Sequence, residues 1–391
     1  MRFALAVLML VLSVAPSLAL GSYEVVEERY ADPFSVDISS MPSFSELPVD
    51  DPDDGIDWVK VPLPEPCVNG MGEKTFIMVR KGSSNNLLIF FEGGGACADY
   101  KTCKPMLCTD FDNCKPLLGI GSVVALESKF CFLSAYYRGG IFDVRRPENP
   151  FRDWTIVFVP YNTGDLHMGN SVVKYFYHGK TKTIYHVGYV NAVVAMKWIK
   201  ESGEFDRVVV TGSSAGGYAT LLHGYTAWKI FGKSVTVIND AGPGIEPDKD
   251  SKFQLDKILE RWGAMQNIPQ DAQSYFEGRD PTYVIEYLLD KCEDCHYGLF
   301  EDQKDLIIGS IFDAYYPWQF KARLLKVTGE IREDNERFCR FMSNDYQHTA
   351  ITGGLLYPLQ KDRFYYEKID GYRLYEWVNE VMNGNCVDLV E

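Results

Sequence analysis

The feature that most constrains this 391-residue chain is a serine between glycines, set at the junction of two differently patterned segments. VVVTGSSAGGYATLL holds Gly212-Ser213-Ser214-Ala215-Gly216, directly after the β-branched run Arg207–Thr211 and directly before a segment with helical spacing. A strand that turns at once into a helix holds its central residue in a strained conformation, and flanking side chains there would strike neighbouring backbone. Ser214 meets that requirement. Ser213, flanked by Thr211 and Ala215, does not. The helix start also leaves the Ala215 N–H free to face a developing oxyanion.

Elsewhere, strand and helix signals alternate. Apolar runs predict strands at Thr75–Val79, Leu87–Phe91, Thr155–Pro160, Arg207–Thr211, Val235–Ile238 and Leu306–Phe312. NAVVAMKWIKESG, GGYATLLHGYTAWKIFG, PWQFKARLLKVTG and YRLYEWVNEVMNG carry helical spacing. This order predicts an α/β fold of the α/β-hydrolase type: a mostly parallel central sheet with helices on both faces. Residues 1–19 read as a secretory signal peptide, with one Arg, an apolar run too short to span a bilayer and small residues before the cut. Residues 20–70, acidic and proline-bearing, read as an N-terminal extension. Residues 71–391 read as one catalytic domain, within which 245–300 form a helical, cysteine-bearing cap insertion.

Ten cysteines outside the leader fit an oxidising compartment, so the expectation is a secreted protein with disulfides. No other stretch is apolar enough for a membrane anchor, and no Asn-x-Ser/Thr sequon occurs. The formal net charge of −15, one unit more negative once Arg2 leaves with the leader, argues against nucleic acid and anionic membranes as partners. Cys292-Glu293-Asp294-Cys295-His296 matches a haem-attachment pattern, but nothing around it suggests a haem pocket; structural disulfide is the favoured reading over redox chemistry or haem. Cys97, Cys103, Cys108 and Cys114 lack the paired spacing of a zinc site, so no metal and no cofactor are expected.

A second set of oxyanion donors is sought after an earlier strand, where LLIFFEGGGAC exposes the amides of Gly94 and Gly95. The chain order of this fold leaves His223, His296 and His348 as bases. His223 lies too far along its helix and His296 sits in the cysteine-rich insertion, which selects His348. Asp240, ending VTVIND, and Asp313, ending DLIIGSIFD, both qualify as the acid. Placing the acid after the second strand beyond the nucleophile favours Asp313. Asp240 then lines the pocket or holds a loop. Asp165 and His167, in NTGDLHMGN, read either as pocket-lining residues at the sheet edge or as a turn fixed by its own side chains.

FFEGGGAC, VPYNTGDLHMGN, HVGYVNAVVAMKWI, TGSSAGGYAT, INDAGPG, the Asp313 segment ending in WQ, NDYQHTAI and DGYRLYEWV occur in that order from Leu87 to the C-terminus. In these motifs the chain resembles the pectin acetylesterase and Notum family of serine carboxylesterases. The resemblance implies Ser214 as nucleophile, His348 as base, and amides near Gly94, Gly95 and Ala215 as the oxyanion hole. Plant members carry their acid closer to the WQ pair, where this chain has Tyr316, so Asp313 requires a local shift. They also have Gly-Trp where this chain has Gly-Ala, and Cys where it has Ser213. The implied activity is cofactor-free hydrolysis of an ester, chiefly an O-acetyl group on a polysaccharide. A Notum-like deacylase of longer acyl esters is the alternative, as is a non-catalytic secreted binding protein on the same fold. The acidic surface weakens pectin, itself a polyanion, as the assumed substrate.

Overall fold

Strand after strand places alternate apolar residues on opposite sides, and this decides how the sheet is covered. In the computed structural model, which describes residues 22–103, 139–251, 253–354 and 360–391, Leu87, Ile89 and Phe91 enter one core while Leu88 and Phe90 enter another. A strand buried on both faces belongs in the middle of a layered α/β fold. The expected leader, with Cys108, Cys114 and Cys131, lies outside the described residues.

The nine-stranded sheet is built from β2 (Val59–Pro62), β3 (Phe76–Arg80), β4 (Asn86–Phe91), β5 (Thr155–Val159), β8 (Arg207–Ser213), β9 (Thr236–Asp240), β10 (His296–Asp302), β11 (Phe338–Ser343) and β14 (Leu389–Val390), in the order β14-β11-β10-β9-β8-β4-β5-β3-β2. From β14 to β5 all neighbours run parallel; β3 and β2 join antiparallel at one edge. A separate sheet combines β1 (Tyr23–Glu27), β6 (Ser171–Tyr177) and β7 (Lys180–His186), and a short hairpin pairs β12 (Lys368–Ile369) with β13 (Tyr372–Arg373). Helices α1 (Gly188–Glu201) and α2 (Ala215–Phe231) cover the first face. Helix α8 (Leu374–Met382) covers the second through Trp377, Val378 and Val381. The arrangement is that of an α/β-hydrolase.

Five of the six expected strands form within a residue or two of their expected bounds. Leu306–Phe312 is instead a π-helix, and the strand that takes its place in the sheet is β10, HYGLFED. A short apolar run has no periodicity that separates strand from helix. Here Asp305 settles the matter, since its Oδ1 accepts the N–H groups of Ile307 (2.6 Å) and Ile308 (3.0 Å) and starts a helix. Strand β10 escapes notice because Gly298 and two acids interrupt its apolar pattern. Gly298 is needed where Trp377 packs, for a Cβ there would lie 2.8 Å from that ring.

Helices α3 (Leu255–Arg261), α4 (Gln270–Phe276) and α5 (Val284–Lys291) lie within 245–300, and the last residues of that stretch enter β10. Cys292 and Cys295 are joined to each other, as are Cys97 with Cys103 and Cys339 with Cys386. Residues 20–70 hold two strands and a buried ion pair, Asp50 with Arg80 of β3, whose guanidinium also donates to the Trp154 carbonyl at 3.1 Å. Removing one partner of such a pair leaves an uncompensated buried charge. Asp50→Ala is therefore expected to lower unfolding free energy by about 3–5 kcal/mol, read by urea titration against the parent protein.

Candidate active site

Ser214 occupies the turn between β8 and α2 at φ 58 and ψ −119, a conformation unfavourable to any residue with a side chain. Its N–H donates to the Asp240 carbonyl at 2.8 Å. Both flanking glycines are sterically required: a Cβ on Gly216 would collide with the Phe91 carbonyl, and one on Gly212 with the Gly216 carbonyl. The turn therefore packs against the end of β4, where the glycine loop begins.

His348 lies in the loop after β11, fully buried, with Nδ1 2.6 Å from Asp305 Oδ2. The ring N–H donates to that carboxylate, which directs Nε2 away from it. Asp305, not Asp313, is the acid that reaches the imidazole. The chain-order rule still describes the arrangement, because Asp305 follows β10, the second strand after the nucleophile strand. Reading Leu306–Phe312 as the strand shifted the expected acid one helix too far. Had HYGLFED been taken as the strand, Asp305, three residues past its end, was the acid to choose.

Of the sequence readings of Asp240, as acid, lining residue or holder of a loop, the third describes its hydrogen bonds. Its Oδ1 accepts the Ala350 N–H at 2.9 Å, and its Oδ2 accepts the Ile351 N–H at 3.1 Å together with the Ser213 hydroxyl. One side chain thus ties the histidine loop to the residue before the nucleophile. Burial raises its carboxyl pKa, and the three donors oppose that shift. Arg363 grips the same loop from the other side, donating to the Thr349 carbonyl at 2.9 Å while holding Asp302 at 2.6 and 2.9 Å. Sequence patterning carried no signal for Arg363, which is distant along the chain from both partners.

The glycine loop is fixed from below. Tyr161 donates its hydroxyl to the Gly95 carbonyl at 2.7 Å, and its own N–H goes to Glu92 Oε2 at 2.8 Å. Burial drives the His167 imidazole down to about 3, so it is neutral, and its Nε2–H donates to the Glu92 carbonyl at 2.9 Å. His223, brought down to about 4 by burial, donates Nε2–H to the His167 carbonyl at 2.7 Å and stacks on Phe91. Asp165 accepts the Thr163 hydroxyl and the Gly188 N–H at the start of α1, both at 2.7 Å. These are turn-fixing and capping roles. Between Asp165 and His167, Leu166 is the residue that reaches the cavity at Ser214.

That cavity has a volume of about 40 Å³ and is lined by Ser214, Ala215, Gly95, Ala96, Leu166, Tyr218, Phe253 and Asp313, among others. No hydrogen bond within the described residues engages the amides of Gly94 or Gly95, and Gly95, at φ 86, takes a backbone conformation that favours glycine. Gly95 and Ala215 both face the cavity; Gly94 does not line it. Asp313 is buried, its Oδ2 without a partner. Burial, then the nearby Asp305, Glu246 and Asp280, hold its carboxyl well above the usual range, against the pull of Arg323. Burial, then the charges of Asp305 and Asp302, likewise raise the Glu301 carboxyl well above its usual range. Among the described residues no group of three or more His, Cys, Asp or Glu is disposed to hold a metal ion.

The two acids are thus distinguishable by experiment. On a simple acetate ester, Asp305→Asn is expected to lower kcat by about 10³–10⁴-fold, because the amide no longer fixes the imidazole tautomer. Asp313→Asn is expected to cost at most about tenfold, since the imidazole is bonded to Asp305 and not to Asp313. Equal losses would contradict the assignment.

Comparison with known proteins agrees with this architecture. The crystal structure of the Wnt deacylase Notum from Drosophila superposes with a TM-score of 0.59, covering 86% of this chain and 96% of that chain at 16% sequence identity, a likeness of fold. No curated protein matches the sequence. The family model described as Pectinacetylesterase matches residues 67–276, more than half of the chain and inclusive of the glycine loop, the serine turn and Asp240. The chain belongs to the pectinacetylesterase family.

Proposed function

We propose that this protein is a secreted serine carboxylesterase that removes O-acetyl groups from a polysaccharide through Ser214, His348 and Asp305. The observation that carries the reading is the 2.6 Å His348–Asp305 bond on a loop that Asp240 ties to the strained serine turn. Ser214 Oγ attacks the ester carbonyl while His348 Nε2 takes its proton. The tetrahedral oxyanion then rests on the N–H groups of Ala215 and of Gly94 or Gly95. His348 returns the proton to the departing alcohol, leaving an acyl-enzyme. Water, deprotonated by the same imidazole, attacks that ester and releases acetate and free Ser214. Asp305 keeps the imidazole in the tautomer with Nδ1–H and stabilises its cationic form.

The size of the cavity supports a short acyl group. At about 40 Å³ it offers room for two or three waters, close to the bulk of an acetyl methyl and carbonyl. A second apolar cavity, about 20 Å³, shares Leu166, Tyr218 and Leu255 with the first. A longer acyl chain would have to displace that partition. The three disulfides, together with the leader-like N-terminus, support secretion. No described helix is long and apolar enough to cross a membrane.

Ser214→Ala is expected to abolish acetate release, and kcat/KM of the parent protein is expected to fall at least about tenfold from acetate to octanoate esters of one alcohol. A rate that rises with chain length would instead favour a deacylase of long acyl groups. The net charge of −15 adds a salt test. Acetate release from pectin should rise between low and physiological ionic strength as repulsion is screened, while release from an acetylated neutral glycan should stay level.

A further inference from the structure

Asp313 is the acid that the proposed mechanism leaves unused. It shares the cavity with Ser214 and is 2% exposed, and Oδ2 is a buried oxygen with no hydrogen-bond partner in the protein. Of the other cavity walls, Ile308, Phe312 and Phe253 offer no side-chain donor, and Tyr218, whose hydroxyl is near enough for Asp313 to raise its pKa, makes no hydrogen bond to Oδ2. A buried polar group left unpaired costs free energy, and such groups persist where a ligand completes them. Backbone holds the residue in place: its N–H donates to the Ile308 carbonyl at 2.8 Å, and its carbonyl accepts the Asp248 N–H at 2.8 Å.

Its position along the chain indicates which part of a substrate it meets. The next residue, Ala314, is exposed, so the chain passes from the cavity wall to the surface directly after Asp313. Two residues beyond, the chain presents Tyr316 and Trp318, 63% and 66% exposed, with rings stacked at 4.7 Å and nearly parallel. Held flat against one another, these rings turn outward faces to solvent, of the kind on which the C–H face of a sugar packs.

We propose that Asp313 is a specificity-determining residue that pairs with a hydroxyl of the substrate's alcohol portion, beside the scissile ester, and that Tyr316 and Trp318 receive the adjoining sugar ring. The substrate class is an acetylated sugar with a free hydroxyl near the acetyl group, rather than an ester of a plain alcohol. Burial and the nearby Asp305, Glu246 and Asp280 favour the protonated form of this carboxyl, which donates through O–H and accepts through C=O, matching both capacities of a hydroxyl. The inference rests on the esterase reading above.

The test compares glycerol monoacetate with propyl acetate, which lacks the hydroxyls. For the parent protein, kcat/KM is expected to favour the monoacetate by at least about tenfold, since a site built to pair a hydroxyl discriminates against its absence. Asp313→Leu should bring that ratio to near one. Asp313→Asn, which still donates and accepts, should keep most of it. The double variant Tyr316→Ala/Trp318→Ala should raise KM for an acetylated neutral oligosaccharide about tenfold, with little effect on KM for the monoacetate. A ratio near one in the parent protein, or an unchanged ratio in Asp313→Leu, overturns the proposal. Failure of the parent protein to cleave either ester would count against the esterase reading itself, a separate outcome.

Discussion

The arrangement proposed for catalysis depends on the three hydrogen bonds that the carboxylate of Asp240 accepts. Ser214, the proposed nucleophile, follows β8, and His348, the proposed base, lies in a loop after β11, with β9 and β10 between the two strands. Neither strand touches the other. Asp240, at the end of β9 between them, accepts from Ser213 with one oxygen and from Ala350 and Ile351 with both. Its backbone carbonyl also takes the Ser214 N–H. A single buried side chain therefore ties the Ser214 turn to the His348 loop. Such fully satisfied buried networks specify one geometry because any partial loss leaves unpaired polar groups in a low dielectric.

Around this clamp the protein gathers an unusual amount of buried acid. Glu301, Asp302, Asp305 and Asp313 are all nearly inaccessible. Asp302 is matched by Arg363, although burial still pushes it up to about 6. Burial and neighbouring charge raise the carboxyl pKa of both Glu301 and Asp313. Charge is thus sorted among close carboxyls by environment, so that the one paired with His348 is distinct from the one facing the cavity. Fold stability and site chemistry meet here: Arg363 binds the acid next to β10 and the carbonyl next to His348 in the same stroke.

Much of this was legible in the sequence because local rules coincided. The serine turn combined steric need for glycine with a change of period from strand to helix, and both flanking glycines do prove to be pressed against backbone. His348 followed from chain order. The glycine loop announced itself by composition. What could not be read were the relations made by tertiary contact. Leu306–Phe312 has the composition of a strand, yet one capping carboxylate makes it a helix. HYGLFED has the composition of a broken strand, yet Trp377 fills the gap left by Gly298. Those two exchanges together explain why the carboxylate bonded to His348 is Asp305 and not Asp313. Arg363 and Tyr161 were invisible for the same reason, since each acts on residues far away in the chain.

The central claim is that Ser214, His348 and Asp305 form one working unit with the oxyanion amides. The most direct measurement is a crystal structure of the protein after reaction with a fluorophosphonate, whose phosphoryl oxygen mimics the oxyanion. The account predicts a phosphonyl group on Ser214 Oγ, its oxygen within about 3 Å of the Ala215 amide and of a glycine-loop amide, and His348 still bonded to Asp305. A label on another residue, or an imidazole that pairs with Asp313 in the adduct, would contradict it.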